Sequence, residues 1–156
     1  MEFHEILRFF HVLGATVLIG TGSGIAFFMV MAHRTGDPKL IAHTAGIVVI
    51  ADYLFTASAI IAQPVTGVLL AWELGWDLTE PWISISIGIY LLIGLFWLPV
   101  VVLQHRMRTL AMAAVTNGEV LPDLYLRYFR IWFVFGIPAF AAILAILWLM
   151  LERPQF

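Results

Sequence analysis

Cysteine is missing from this 156-residue chain, so no disulfide braces the fold and no thiolate is available to a metal. Any metal or cofactor has to be held by histidine, methionine, tyrosine or carboxylate. Charge is scarce too. Eight Lys and Arg stand against ten Asp and Glu, a net charge of -2 that offers nucleic acid no basic surface, and no nucleic-acid partner is expected. Neither a basic leader nor a small-residue cleavage site accompanies the first apolar run, so that run is expected to stay in the protein. Low-complexity segments and internal repeats are not evident.

What is plentiful is apolar surface: 62% of residues are hydrophobic, and the mean hydropathy is +0.99. Four runs dominate, Ile6 to Ala32, Thr44 to Trp72, Trp82 to Gln104 and Trp132 to Leu151. Each reaches the roughly 20 residues a helix needs to cross a bilayer. Lipid cannot hydrogen-bond a bare backbone, so continuous runs of this length predict helices, and a barrel would show alternation instead. The expected fold is all-α, a polytopic bundle of four transmembrane helices at about 6–32, 44–72, 82–104 and 127–151, with residues 1–156 forming one domain.

Lys and Arg in the loops predict orientation. The first loop (His33 to Leu40) carries Arg34 and Lys39, and the third (His105 to Arg130) carries Arg106, Arg108, Arg127 and Arg130. Both are expected on the cytoplasmic side. Between them, Glu73 to Pro81 holds three acids and no base, so it is expected outside with both termini. Trp72, Trp76 and Trp82 would anchor the outer interface and Trp132 the inner one, while Arg8 and Arg153 snorkel to headgroups.

His11 is the most informative single residue. At helical spacing it shares a face with Gly14, Ala15, Leu18, Gly22 and Ile25, small residues that admit something flat or bulky to the backbone. Haem held through a neutral imidazole fits that face; so does plain helix packing. Antiparallel runs at about 1.5 Å per residue put Gln63, Thr66 and Tyr90 at the depth of His11. Pro64 and Gly67 break helix regularity there. His4 is expected outside the hydrocarbon, so a haem on His11 would be five-coordinate or take a sixth ligand other than histidine.

Further polar groups interrupt the runs. Asp52 lies mid-membrane, where a carboxylate either relays protons, with Tyr53, Thr56 and Ser58 nearby, or accepts a hydrogen bond that sets helix register. At the inner edge His33, His43 and His105, with Met29, Met31, Met107 and Met112, offer an alternative metal site for zinc or copper; interfacial loop residues of no metal-binding spacing read equally well. Gln104, Arg106 and Arg108 end the third run and suit an anionic group such as a haem propionate, a phospholipid head or a quinone-site carboxylate.

The segments Phe10-His11-Val12-Leu13-Gly14, Ala51-Asp52-Tyr53-Leu54-Phe55-Thr56, Gln63-Pro64-Val65-Thr66-Gly67 and Trp97 to Gln104 with Arg106-Met107-Arg108 resemble a bacterial family of predicted four-helix integral membrane proteins of unknown function, over nearly the whole chain. More distantly, the first-helix histidine with its glycine-containing apolar stretch is similar to the haem-containing four-helix protoporphyrinogen oxidase and to CopD-like membrane domains. The oxidase likeness implies a haem ligand at His11. That family also relies on a third-helix lysine, whereas the sole lysine here is Lys39 in the first loop.

The leading expectation is a multi-pass protein of the bacterial cytoplasmic membrane that binds haem b. His11 would be the axial ligand, Gly14, Gln63, Thr66, Arg106 and Arg108 would bind the cofactor, and Asp52 and Tyr90 would act in catalysis. A redox-active haem would exchange electrons with a quinone or porphyrin-type partner in the bilayer. The alternatives are a non-catalytic assembly protein, as a homodimer or within a larger membrane complex, and a copper-handling protein.

Overall fold

The computed structural model describes residues 2–154, and every regular element among them is helical. Helix α1 spans Phe3–Thr35, α2 Pro38–Ala51, α3 Ala57–Glu73, α4 Pro81–Asn117 and α5 Asp123–Glu152. A single wide π turn, Asp52–Thr56, joins α2 to α3, so the two form one rod. The result is four rods long and apolar enough to cross a membrane. The start of α1 and the end of α5 lie at one end, beside the acidic α3–α4 connection. The opposite end carries Arg34, Lys39, Arg106, Arg108, Arg127 and Arg130 and is called the basic end below.

Local chemistry explains the rod ends. Asp37 caps α2 by accepting from the Lys39 N–H at 2.8 Å, and Pro38 takes the first helical position, where no N–H is needed. Gly36 and Gly118 close α1 and α4 at φ +68° and +69°, a conformation costly for residues with a Cβ. Helices run past the apolar stretches. The expected third loop is mostly helix, because the Ala, Leu, Met and Arg that follow Gln104 are strong helix formers and α4 continues to Asn117. Outside the spans, Asp77 accepts from the N–H and hydroxyl of Thr79, which holds its carboxyl below the usual carboxylate range.

The rods pack unevenly. Helix α1 lies along α2 and α3, and α4 lies along α5 and α2, but α3 has little packing against α4 or α5. One apolar core fills the basic end, built around Met29, Ile41, Met107 and Tyr125, each essentially inaccessible. The acidic end is tied by Trp76 and Trp82, edge to face at 5.3 Å, with the Arg153 guanidinium 4.5 Å from the Trp76 ring centroid. Between these ends lies a loosely packed waist. From Ile87 to Val102 on α4, and from Phe133 to Trp148 on α5, no residue is fully buried. The accessible surface, 9456 Å², accordingly exceeds the about 7,900 Å² that size scaling gives for a soluble protein of this mass.

Candidate functional site

Four polar contacts hold the waist together, and His11 makes two of them. Its Nδ1 lies 3.0 Å from Thr66 Oγ1. The Thr66 hydroxyl donates to the Ala62 carbonyl at 2.7 Å, so its one proton is committed to its own helix and its oxygen accepts from the ring. With the threonine proton on the Ala62 carbonyl, a neutral imidazole would carry its hydrogen on Nδ1 and leave the lone pair on Nε2. The other contact is made by the His11 backbone, whose carbonyl accepts from Gln63 Nε2 at 2.7 Å.

Two glycines make these contacts possible. A Cβ on Gly14 would collide with the Gln63 amide, and one on Gly67 would lie 3.1 Å from His11 Cε1. Gly67 therefore lets the imidazole lie against the α3 backbone, and Gly14 lets the Gln63 amide reach α1. The small-residue face at Gly14 is filled by a neighbouring side chain, which corrects the expectation that it leaves room for a macrocycle. Open positions lie further along, at Gly20 and Gly22, where a Cβ would meet nothing within 4 Å.

Tyr90 has a different task. Its hydroxyl donates to the Ile60 carbonyl. In a regular helix that carbonyl would accept from the N–H of residue 64, but Pro64 has none. Tyr90 thus replaces across the waist the hydrogen bond that Pro64 removes, and it meets α3 nearly two turns from the ring of His11.

Asp52 stands apart. It opens the π turn, is 4% exposed, and its Oδ1 lies 3.4 Å from the indole nitrogen of Trp97 on α4. Its Oδ2 and the Thr56 hydroxyl are buried without a hydrogen-bond partner among the described residues. Gln63 follows eleven residues later, which on a helical rod is about 16 Å. Asp52 and His11 belong to separate clusters. The sequence reading missed Trp97 as the partner of this acid, for want of any signal beyond matching depth.

The basic-end residues are also dispersed, and no group of three His, Asp or Glu able to hold a metal forms among the described residues. His33 stacks on Phe129 at 3.7 Å, His105 Nε2 meets the Tyr53 hydroxyl at 3.2 Å, and His43 faces a groove between α2 and α4. The expected alternative metal site is corrected accordingly, because equal depth on three helices does not give a common direction. Arg106 and Arg108 are likewise remote from His11. Arg106 lies over the Tyr128 ring at 5.7 Å and Arg108 lines the α2–α4 groove, so neither adjoins the expected cofactor ligand.

The sequence from residue 5 to 154 matches the family described as predicted integral membrane protein (DUF2269). The chain belongs to that family. No curated protein and no solved structure matches it. Membership agrees with the four apolar rods in making this an integral, multi-pass membrane protein. The family description carries no activity, so chemistry has to be argued from the His11 cluster itself.

For a haem, the donor chemistry at His11 fits: an imidazole whose Nδ1 faces the Thr66 oxygen can present its Nε2 lone pair, as an iron ligand must. The packing at Gly14 does not supply the room, which has to come from the open waist.

Proposed function

We propose that the protein is a small b-type haem protein of the bacterial cytoplasmic membrane, with its basic end toward the cytoplasm and His11 as the axial ligand. The observation that carries this reading is the orientation of one ring: Thr66 accepts from Nδ1, so Nε2 is the nitrogen left to coordinate. Gln63 braces the backbone of the same residue, and Gly67 seats the ring. When bound, haem would supply one-electron exchange with a membrane-soluble quinol or porphyrinogen. The protein's part is to fix the ligand and to keep water from it; Tyr90 maintains α3 at the pocket. Asp52 is left out of this site by its distance.

A second reading has support from Gly14 and Gly67. Both are filled from the opposite helix, which is also what an α1–α3 clamp in a non-catalytic assembly protein requires. Visible spectra of the detergent-purified protein, oxidised and dithionite-reduced, separate the two. A Soret band with reduced b-type peaks that disappears in His11→Ala is expected. Thr66→Val, which frees the ring to rotate, is expected to shift the reduced peaks or lower haem occupancy. Wild type that stays colourless after haem is offered would overturn the haem reading and leave the clamp.

A further inference from the structure

A groove of about 500 Å³ runs between α2 and the basic end of α4. Its chemistry changes along its length. Lys39, in the first turn of α2, and His43, one turn further, stand at the mouth, and Arg108 of α4 lies about a turn deeper, against Gly46. Because α4 runs antiparallel to α2, its Met112, Val115 and Thr116 lie toward the mouth, and deeper than Arg108 the groove is walled by Ile47 and Ile50 of α2. From Lys39 to Ile50 the helix rises about 16 Å, close to half the roughly 30 Å hydrocarbon core, so the groove has the depth of one leaflet.

The cations of the groove have no internal counter-charge. Arg108 is half-buried, yet neither it nor Lys39 forms a salt bridge with any acid among the described residues. Gly46 matters here: its absent Cβ would lie 3.8 Å from Arg108 Nε, so the guanidinium rests against the α2 backbone on the side of Lys39 and His43. Ile47 and Ile50 are more than half exposed and offer the apolar wall that an acyl chain would cover.

We propose that this groove binds one anionic phospholipid. Its phosphate lies among Lys39, His43 and Arg108, and an acyl chain runs along Gly46 to Ile50. A guanidinium pairs two of its N–H groups with phosphate oxygens, and basic pockets between membrane helices select such headgroups. A zwitterionic lipid brings its own cation to the same mouth and is held less well. The site lies apart from His11 and does not depend on a haem.

Native mass spectrometry of the full chain in detergent tests this with phosphatidylglycerol and phosphatidylcholine of identical acyl chains, and with soluble glycerol phosphate as the headgroup alone. One phosphatidylglycerol per chain is expected, retained about 30-fold better than phosphatidylcholine, the preference two charge contacts produce. Lys39→Gln with Arg108→Gln should bring the ratio within about twofold. Ile50→Trp, which fills the deep end of the groove away from the cations, should lower retention of both lipids. Arg127→Gln, a charge change at the same end outside the groove, should leave the ratio as it is. The proposal is overturned by equal retention of the two lipids in wild type or by a preference that survives the double substitution. It fails equally if glycerol phosphate binds as well as the lipid, or if a second copy of the chain covers the groove when lipid is absent.

Discussion

The two halves of helix α1 meet the rest of the protein by opposite means. From Ile25 to the basic end, Ile25, Met29 and Ala32 are buried against α2, α4 and α5, whereas from Arg8 to Gly24 only Gly14 is buried, and it is covered by a glutamine. Other elements repeat the contrast. The basic-end core is dense, yet it leaves His33 Nδ1, Gln104 Oε1, Tyr125 Oη and Trp132 Nε1 without hydrogen-bond partners among the described residues. The waist is sparse, yet its side chains bridge the rods through His11–Thr66, Gln63–His11, Tyr90–Ile60 and Trp97–Asp52. Apolar packing supplies cohesion at the basic end; directional bonds supply it in the waist. In lipid, where burying apolar groups gains little over leaving them in acyl chains, a few hydrogen bonds and close backbone approaches are enough to fix helix neighbours.

Deleting side-chain volume in each region separates these modes most sharply. Met107 is fully buried in the basic-end core, and Met107→Ala is expected to cost about 2–4 kcal/mol. Leu92, half exposed in the waist, has no cavity to leave behind, and Leu92→Ala should stay within about 0.5 kcal/mol. Unfolding in mixed micelles with increasing denaturing detergent measures both. Equal costs would mean that the waist is packed as firmly as the basic end.

Adding volume separates two positions within the sparse half of α1. Gly14→Ala drives a methyl into the Gln63 amide, the far end of a flexible side chain, so the amide swings aside and its bond to the His11 carbonyl is lost, a cost of about 1–2 kcal/mol. At Gly20, six residues along the same helix, a methyl meets nothing within 4 Å, so Gly20→Ala should be neutral or favourable by up to about 1 kcal/mol through helix propensity. The same unfolding measurement checks the pair, and a Gly14→Ala as mild as Gly20→Ala would remove the α1–α3 clamp from the account.

Depth was legible in the sequence and direction was not. Hydropathy placed the four rods, and counting residues along antiparallel helices put His11, Gln63 and Thr66 at one level, where the structure indeed joins them. The same counting put His33, His43 and His105 at one level, but they face Phe129, the α2–α4 groove and Tyr53. A helix's rotation about its axis depends on which neighbours it packs against, and one sequence does not state those pairings. The helical extension from Gln104 to Asn117 escaped for another reason: hydropathy registers where lipid ends, whereas the helix continues as long as its residues favour it and Met107, Ala111 and Ala114 have a core to enter. The π turn at Asp52 left no local signal, because its residues are ordinary helix-compatible types.

The smallest expected effect is also the most specific to the waist. Tyr90→Phe leaves the Ile60 carbonyl without a partner in a region that cannot hydrate it, a loss of about 1 kcal/mol. Pro64→Ala restores an N–H four residues after Ile60, so the helix regains its own bond and the tyrosine hydroxyl becomes dispensable. The two substitutions should therefore couple: Tyr90→Phe destabilises the parent and is close to neutral in the Pro64→Ala background, with an interaction energy near 1 kcal/mol in a double-mutant cycle. Strict additivity would show that the hydroxyl does not stand in for the bond that Pro64 removes, and the waist would then owe its cohesion at this level to the His11 contacts alone.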